Sequence, residues 1–355
     1  MLSKLTLDRV IESLPWRISN VLLRRFPPLY AYFHVLSEHP LVVLIPEDFP
    51  DERKIWAPFF AALGHVDVTF LCLVRGPLEA GGEQGFNHTA AAFAAHSARY
   101  PRQDLVLLAN NKRQMDAFAA RQMKAIFFNQ NALVDERLLV VSPDISRRFD
   151  AIYNARINPV KRHELATKVE NLALITIVDG GTNMRLFEEL VAILPNANWL
   201  NFEADKYSLA DYRRIGQAQL SDYLNQSRCG LCLSRNEGAM FASIEYLLCG
   251  LPVVSTRSYG GRDEFYDEAY VAIVEDDPEA VASGVRDLVA RRIPAEYIRE
   301  KTLRKLKAHR VRLVDYILDL AAAKGIELRR QKIHSSIFPN QIYSLKKVCS
   351  ILKVC

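Results

Sequence analysis

The stretch Ser234-Arg-Asn-Glu-Gly-Ala-Met-Phe-Ala-Ser-Ile-Glu-Tyr-Leu-Leu-Cys-Gly-Leu-Pro-Val-Val-Ser255 decides the fold. The apolar run Gly230–Ser234 reads as a buried strand, and Pro252–Ser255 as the next one. Between them a polar loop, Asn236–Met240, leads into a helix from about Ala239. Gly250 stops that helix and Pro252 follows, the usual punctuation of a helix end. The loop therefore offers free backbone N–H groups at a helix start, which suits an anion. It lies at the carboxyl end of a strand, the edge where open parallel sheets bind ligands.

Two carboxylates flank the loop. Glu245 is eight residues beyond Glu237, roughly 12 Å along a helix and only about 80° around it. Both can border one cleft, and a carboxylate accepts well from vicinal hydroxyls. The plainer reading makes Glu237 an acid favoured by the helix dipole and Glu245 a surface residue.

Strand-like and helix-like runs alternate outward in both directions. Leu41–Pro46, Val66–Val74 and Asp104–Leu108 read as strands, with weaker candidates at Ala125–Phe128 and Leu138–Val141. Ala151–Ala155, Ala173–Val178, Trp199–Phe202 and Tyr270–Val274 continue the series. Helical patterns lie between them, among them Lys161–Val169, Met184–Leu194 and Pro278–Ala290. Continuous apolar strands separated by helices predict an α/β fold of two Rossmann-like parallel-sheet domains facing a cleft. The boundary is expected at Ser142–Phe149, giving domains over 40–145 and 146–290. Residues 1–39 read as a helical extension, and 291–355 as a long charged helix followed by a basic tail.

A second segment, Ala151-Ile-Tyr-Asn-Ala-Arg-Ile-Asn-Pro-Val-Lys-Arg-His163, carries cations to the same sheet edge. Arg156 falls at a strand end and Lys161 at the expected start of a helix. Arg offers a planar fork for phosphate oxygens and Lys a point charge. Two solvated loop residues are the bland alternative.

Together the two segments resemble retaining GT-B glycosyltransferases of the family 4, or group 1, type. That family has an E-x7-E motif before a C-G-x-P-V-V-like strand. Glu237, Glu245 and Cys249-Gly-Leu-Pro-Val-Val254 fit it. Arg156 and Lys161 match the family's diphosphate-binding pair, and Gly260, Gly261 and Glu264 match its later glycine-glycine-acid loop. The resemblance covers about residues 150–290. It implies that Arg156, Lys161 and Glu237 are catalytic, the cations stabilising the departing diphosphate and Glu237 meeting the donor sugar. Gly238, Ala239 and Met240 would bind the donor through backbone N–H groups, and Glu245 would hold the ribose. The implied activity is sugar transfer from a UDP- or GDP-linked donor to a saccharide or lipid-linked acceptor. Anomeric configuration would be retained, no metal or other cofactor needed, and surface polysaccharide the expected product. The alternatives are a same-fold nucleotide-sugar epimerase or phosphorylase, and a non-catalytic nucleotide-sugar-binding protein.

The chain also departs from the family pattern. Ala155 stands where the family has Gly before its Arg. Gly238-Ala-Met240 replaces Gly-Phe-Gly, and Tyr246 replaces a common Ala. The family often places an N-domain His near the donor sugar, for which His65, His88 and His96 are the candidates.

Length and composition set the remaining limits. The chain has 355 residues, 50% hydrophobic and 25% charged, which suits a soluble globular protein and excludes disorder as the main theme. The net charge of +5 is mild and lacks the dense basic stripe of a nucleic-acid binder. Phosphate-loop, dinucleotide, zinc-protease and serine-hydrolase motifs are absent. Cys229 and Cys232 form a C-x-x-C inside an apolar strand, which favours buried structural thiols over redox or zinc chemistry. With no signal peptide apparent, the expected compartment is the cytoplasm. Trp16, Ile18 and Val21–Leu23 beside Arg17, Arg24 and Arg25 suit a helix at a membrane interface. Peripheral contact with the inner membrane face is therefore an expectation, set against an ordinary packed helix.

Overall fold

The computed structural model describes residues 33–45, 60–61, 63–74, 76, 78–178, 182–203 and 207–338. The first sheet holds β1 (His34–Glu38), β2 (Leu41–Ile45), β3 (Val68–Leu73), β4 (Gln103–Ala109) and β5 (Ala125–Phe127), side by side in chain order. β1 pairs antiparallel with β2, and the other three pairings are parallel. β1 corrects the helical reading of 1–39: His34–Glu38 extends the sheet, and the remaining basic stretch to residue 32 lies outside the described residues.

The strands of the first sheet are apolar on both faces because both faces are covered. Val42, Leu44, Leu71, Leu73, Val106 and Leu108 point into one core. Val43, Ile45, Phe70, Cys72, Leu105 and Leu107 point into the other, beneath Phe86 of α1 (Gly82–Arg99) and Phe118 of α2 (Lys112–Ala119). The weak strand expected at Leu138–Val141 is not one. It is irregular backbone with Leu138 and Val140 exposed.

The second sheet is fully parallel. It contains β6 (Ala151–Asn154), β7 (Leu172–Ile175), β8 (Asn198–Trp199), β9 (Gly230–Cys232), β10 (Val253–Thr256) and β11 (Val271–Val274). Their spatial order is β11-β10-β9-β6-β7-β8. The chain therefore runs outward from β6 on one side, then crosses back to β9 and runs outward on the other. This is the doubly wound arrangement, with its switch point between β6 and β9.

Helices α3 (Met184–Ile193), α4 (Gln217–Asn225), α5 (Phe241–Leu248) and α6 (Pro278–Ala290) belong to this second half. Asn183 caps α3 by accepting from the Leu186 N–H at 3.2 Å, and Asp277 caps α6 by accepting from Ala280 at 2.9 Å. Each cap satisfies one of the donors a helix start leaves open. Pro278 at the first turn of α6 loses no bond.

The long charged pattern becomes α7 (Ala295–Ala322), followed by α8 (Arg330–Ile337). α7 packs on α5 and also against β5. Its buried Arg310 donates to the Ala132 and Val134 carbonyls at 2.9 and 2.7 Å and pairs with Glu136. One helix thus ties the second half of the chain back to the first. Among the described residues no helix is long and apolar enough to cross a membrane.

Candidate functional site

The β6–β9 switch point places two loops beside each other at the carboxyl edge of the sheet. The loop after β6 carries Lys161 and the loop after β9 carries Glu237. Lys161 Nζ and Glu237 Oε1 form an ion pair, with side chains 20% and 15% exposed. Ser234 Oγ donates to the same carboxylate oxygen at 2.6 Å.

The expected helix from Lys161 does not form. Pro159–Lys161 and His163–Ala166 are two short 3-10 turns, separated by Arg162 at φ 52°. Asn158 caps the first turn by accepting from the Val160 N–H at 2.9 Å. The left-handed Arg162 breaks the helical path, and its side chain turns into the sheet edge. It donates to the Leu233 carbonyl at 2.7 Å and to Thr256 Oγ1 at 2.6 Å, and it pairs with Asp276 at 2.6 Å.

Arg262 lies beneath Glu237 and is fully buried. Its guanidinium donates to the Ser234 carbonyl at 2.6 Å and to Ser255 Oγ at 2.9 Å. Arg262 also donates to the Thr256 carbonyl at 2.5 Å, so the two arginines together donate to backbone carbonyls at the ends of both β9 and β10. The sequence reading passed over both. The signal for Arg262 was its place directly after Gly260-Gly261.

Glu245, on α5, accepts from Asn154 Nδ2 at 3.2 Å. Tyr246 is fully buried, and its hydroxyl accepts the Asn154 N–H at 2.7 Å. The tyrosine that departs from the family pattern thus satisfies the last backbone donor of β6. Burial of its carboxyl pushes Glu245 up to about 7, against the smaller opposing effect of the Asn154 and Gln217 hydrogen bonds. Glu245 therefore meets the end of β6 through Asn154, and Glu237 meets the loop that follows it through Lys161. Arg156 is an exposed residue on the same loop, between those two contact points.

Gly238, Ala239 and Met240 form a buried turn before α5, which begins at Phe241, two residues later than expected. Met240 sits at φ 55°, in the left-handed region. Glycine reaches that region without steric cost, so a methionine there is the strained choice. Among the described residues, none of the three gives its N–H to a protein acceptor, while the Glu237 N–H goes to the Tyr259 carbonyl at 3.0 Å.

The carboxyl ends of β4 and β5 close over this turn. Asn131 Nδ2 donates to the Ala239 carbonyl at 2.7 Å, Asn129 Nδ2 to Gly261 at 2.7 Å, and Asn111 Nδ2 to Gly260 at 2.9 Å. Gly260 lies at φ 109°, where a Cβ would strike the Glu237 carbonyl; a Cβ on Gly261 would strike Asn110. Buried Glu79 accepts from Asn111 at 2.6 Å and from Gln114 at 3.2 Å. His309 of α7 joins both halves: its Nδ1 accepts the Asn129 N–H at 3.3 Å, and its Nε2 faces Glu264 at 3.3 Å. These carboxamides, Glu79 and His309 were missed. Their signal was the Asn110-Asn111 and Asn129-Gln-Asn131 clusters just after two strands.

The candidate histidines of the first half stand apart from this arrangement. His65 and His88 are exposed. His96 is buried against Phe60 and Tyr100, and burial lowers it to about 4. Cys72, Cys229, Cys232 and Cys249 are free and buried. Burial pushes Cys229 up to about 12 and Cys232 up to about 11, so the C-x-x-C thiols carry no thiolate near neutrality.

The fold, two Rossmann-like α/β units each built on a largely parallel sheet, is that of GT-B glycosyltransferases. Residues 176–291, from the end of β7 through α6, match the family model for glycosyl transferases group 1. Among solved structures, the chain is similar to sucrose-phosphate synthase from Thermosynechococcus elongatus. The identity is 15% and the TM-score 0.54, with 73% of this chain and 69% of that one covered. It is also similar to a glycosyltransferase from Rickettsia africae, at 13% identity and TM-score 0.49, covering 84% and 77%. A third is Anabaena HepE in complex with UDP-glucose, at 13% and 0.44, covering 74% and 85%. No curated protein matches. At such identities the structural likeness speaks for fold. The group 1 match supports sugar transfer as the general activity.

Proposed function

We propose that this chain is a retaining glycosyltransferase that moves a sugar from a nucleotide-diphosphate donor, UDP- or GDP-linked, to a saccharide or lipid-linked acceptor. The observation that carries this reading is the meeting of Lys161 and Glu237 at the strand-order reversal, beside three buried N–H groups. Lys161, with Arg156 on the same loop, takes the diphosphate. Charge grows on that group as the sugar leaves, so fixed cations and amides aimed at it lower the barrier. Glu237 meets the donor sugar, and Gly238, Ala239 and Met240 present their N–H groups to the sugar and phosphate. Glu245 holds the ribose, with its neighbour Asn154 orienting the carboxyl. The lobe over 146–290 takes the donor and the lobe over 40–145 the acceptor. The reaction needs no metal, a departing phosphate oxygen takes the acceptor proton, and the product belongs to a surface polysaccharide made at the inner face of the membrane.

The test pairs binding with product analysis. UDP and GDP are compared for their effect on melting temperature; a ligand at about a hundred times its dissociation constant adds about 2.7 kcal/mol. NMR of the product from the stabilising donor then reads the anomeric configuration. An inverted product would exclude retention, and no stabilisation by either diphosphate would exclude the donor site.

A further inference from the structure

A cavity of about 370 Å³ opens at the opposite, amino edge of the second sheet. Arg147 lies just before β6, Arg228 just before β9 and Pro252 just before β10. Leu288 at the end of α6 and Arg292 and Ile293 after it complete the wall. Three guanidinium groups thus line one small space. Arg228 pairs with Asp150 at 2.9 Å. Arg147 donates to the Ser227 carbonyl at 2.6 Å, and among the described residues neither it nor Arg292 has a carboxylate partner.

We propose that this cavity binds a small molecule bearing a phosphate group, separately from the donor cleft. The argument is one of charge and shape. Arginines gathered around a half-enclosed space repel one another, and a phosphate that accepts from their forks removes that cost. The volume is in the range of small-molecule sites, and Pro252, Leu288 and Ile293 supply an apolar wall for the organic part of the ligand. The cavity also touches Gly250, the residue that ends the helical segment whose start carries Met240. An occupant there bears on the far end of the helix that holds Glu245.

The experiment titrates the full chain with inorganic phosphate against chloride at matched ionic strength and follows the melting temperature. The unaltered chain, Glu237→Gln and Lys161→Ala are expected to rise together. Arg292→Gln, at an exposed position, and Arg147→Gln are expected to bind phosphate at least about tenfold more weakly, as loss of a charged hydrogen bond implies. An unshifted parent, or full response in both arginine variants, would overturn the site. So would loss of the response in Lys161→Ala, which would move the phosphate to the donor cleft. The phosphate could arrive on a soluble ester or a lipid headgroup. Pelleting with phosphatidylcholine vesicles containing phosphatidate, lost in the arginine variants, assigns the site to a headgroup. Phosphate-dependent melting without pelleting assigns it to a soluble ester.

Discussion

Lys161 and Glu237 neutralise each other across the switch point, joining the loop after β6 to the loop after β9. In the proposed function a diphosphate competes with Glu237 for Lys161. Glu237→Gln removes the competitor and keeps the shape. It is expected to bind the nucleoside diphosphate several-fold more tightly while turnover falls at least about a hundredfold, close to 3 kcal/mol of transition-state stabilisation. Lys161→Ala is expected to lose both binding and turnover, and Arg156→Ala to lose turnover. Isothermal titration beside steady-state kinetics separates the cases. Normal turnover in all three would remove these residues from the chemistry.

The Glu245 carboxyl predicts a pH effect on stability. Its ordinary value of 4.5 is raised to about 7 by burial, so the folded chain holds this proton more tightly than the unfolded chain does. Stability from this group is fully present below about pH 4.5. It declines as pH rises through the window to about 7, by up to about 3 kcal/mol. Glu245→Gln cannot ionise and should flatten the profile. Denaturant melts at pH 5 and pH 8 check this: the variant should be relatively more stable at pH 8. A parent profile that rises between these values, with Glu245→Gln unchanged, would contradict it.

Arg262 holds strand ends together from below, through the Ser234 carbonyl and the Ser255 hydroxyl. Arg262→Met fits the space roughly but leaves buried acceptors without donors. Each such loss costs about 1–3 kcal/mol, so the melting temperature should fall by about 5 °C or more. Arg162→Met, at a half-buried position, should fall less. Ser234 also positions Glu237, so a properly folded fraction of Arg262→Met should still show reduced turnover.

The sequence disclosed the second sheet more fully than the first. In Ser234–Ser255, motif spacing, helix stop and strand pattern agree, and the structure keeps them nearly in register. His34–Glu38 escaped notice because a strand of only five residues carries little periodic signal. Lys161–Val169 misled because apolar spacing does not reveal a left-handed Arg162. The carboxamides over the turn were the hardest to read. Asn129 and Asn131 act through partners 132 and 108 residues away, and no local pattern encodes such a distance. Motif spacing pointed to Glu237 and Lys161; the Asn and Arg groups that hold their surroundings in place came from the fold.

Met240 tests whether the turn stores strain. It occupies φ 55° with a side chain that is buried and lies 3.9 Å from Ser234 Oγ. A non-glycine residue there costs roughly 1–2 kcal/mol. Met240→Ala loses the packing and keeps the strain, whereas Met240→Gly loses the packing and relieves it. The usual order, in which Gly is less stable than Ala, should therefore reverse, with Met240→Gly more stable than Met240→Ala by about 1 kcal/mol. Urea denaturation of the two variants measures the difference directly. If Met240→Ala is the more stable, residue 240 does not adopt the left-handed conformation in solution, and the N–H groups of the turn point elsewhere.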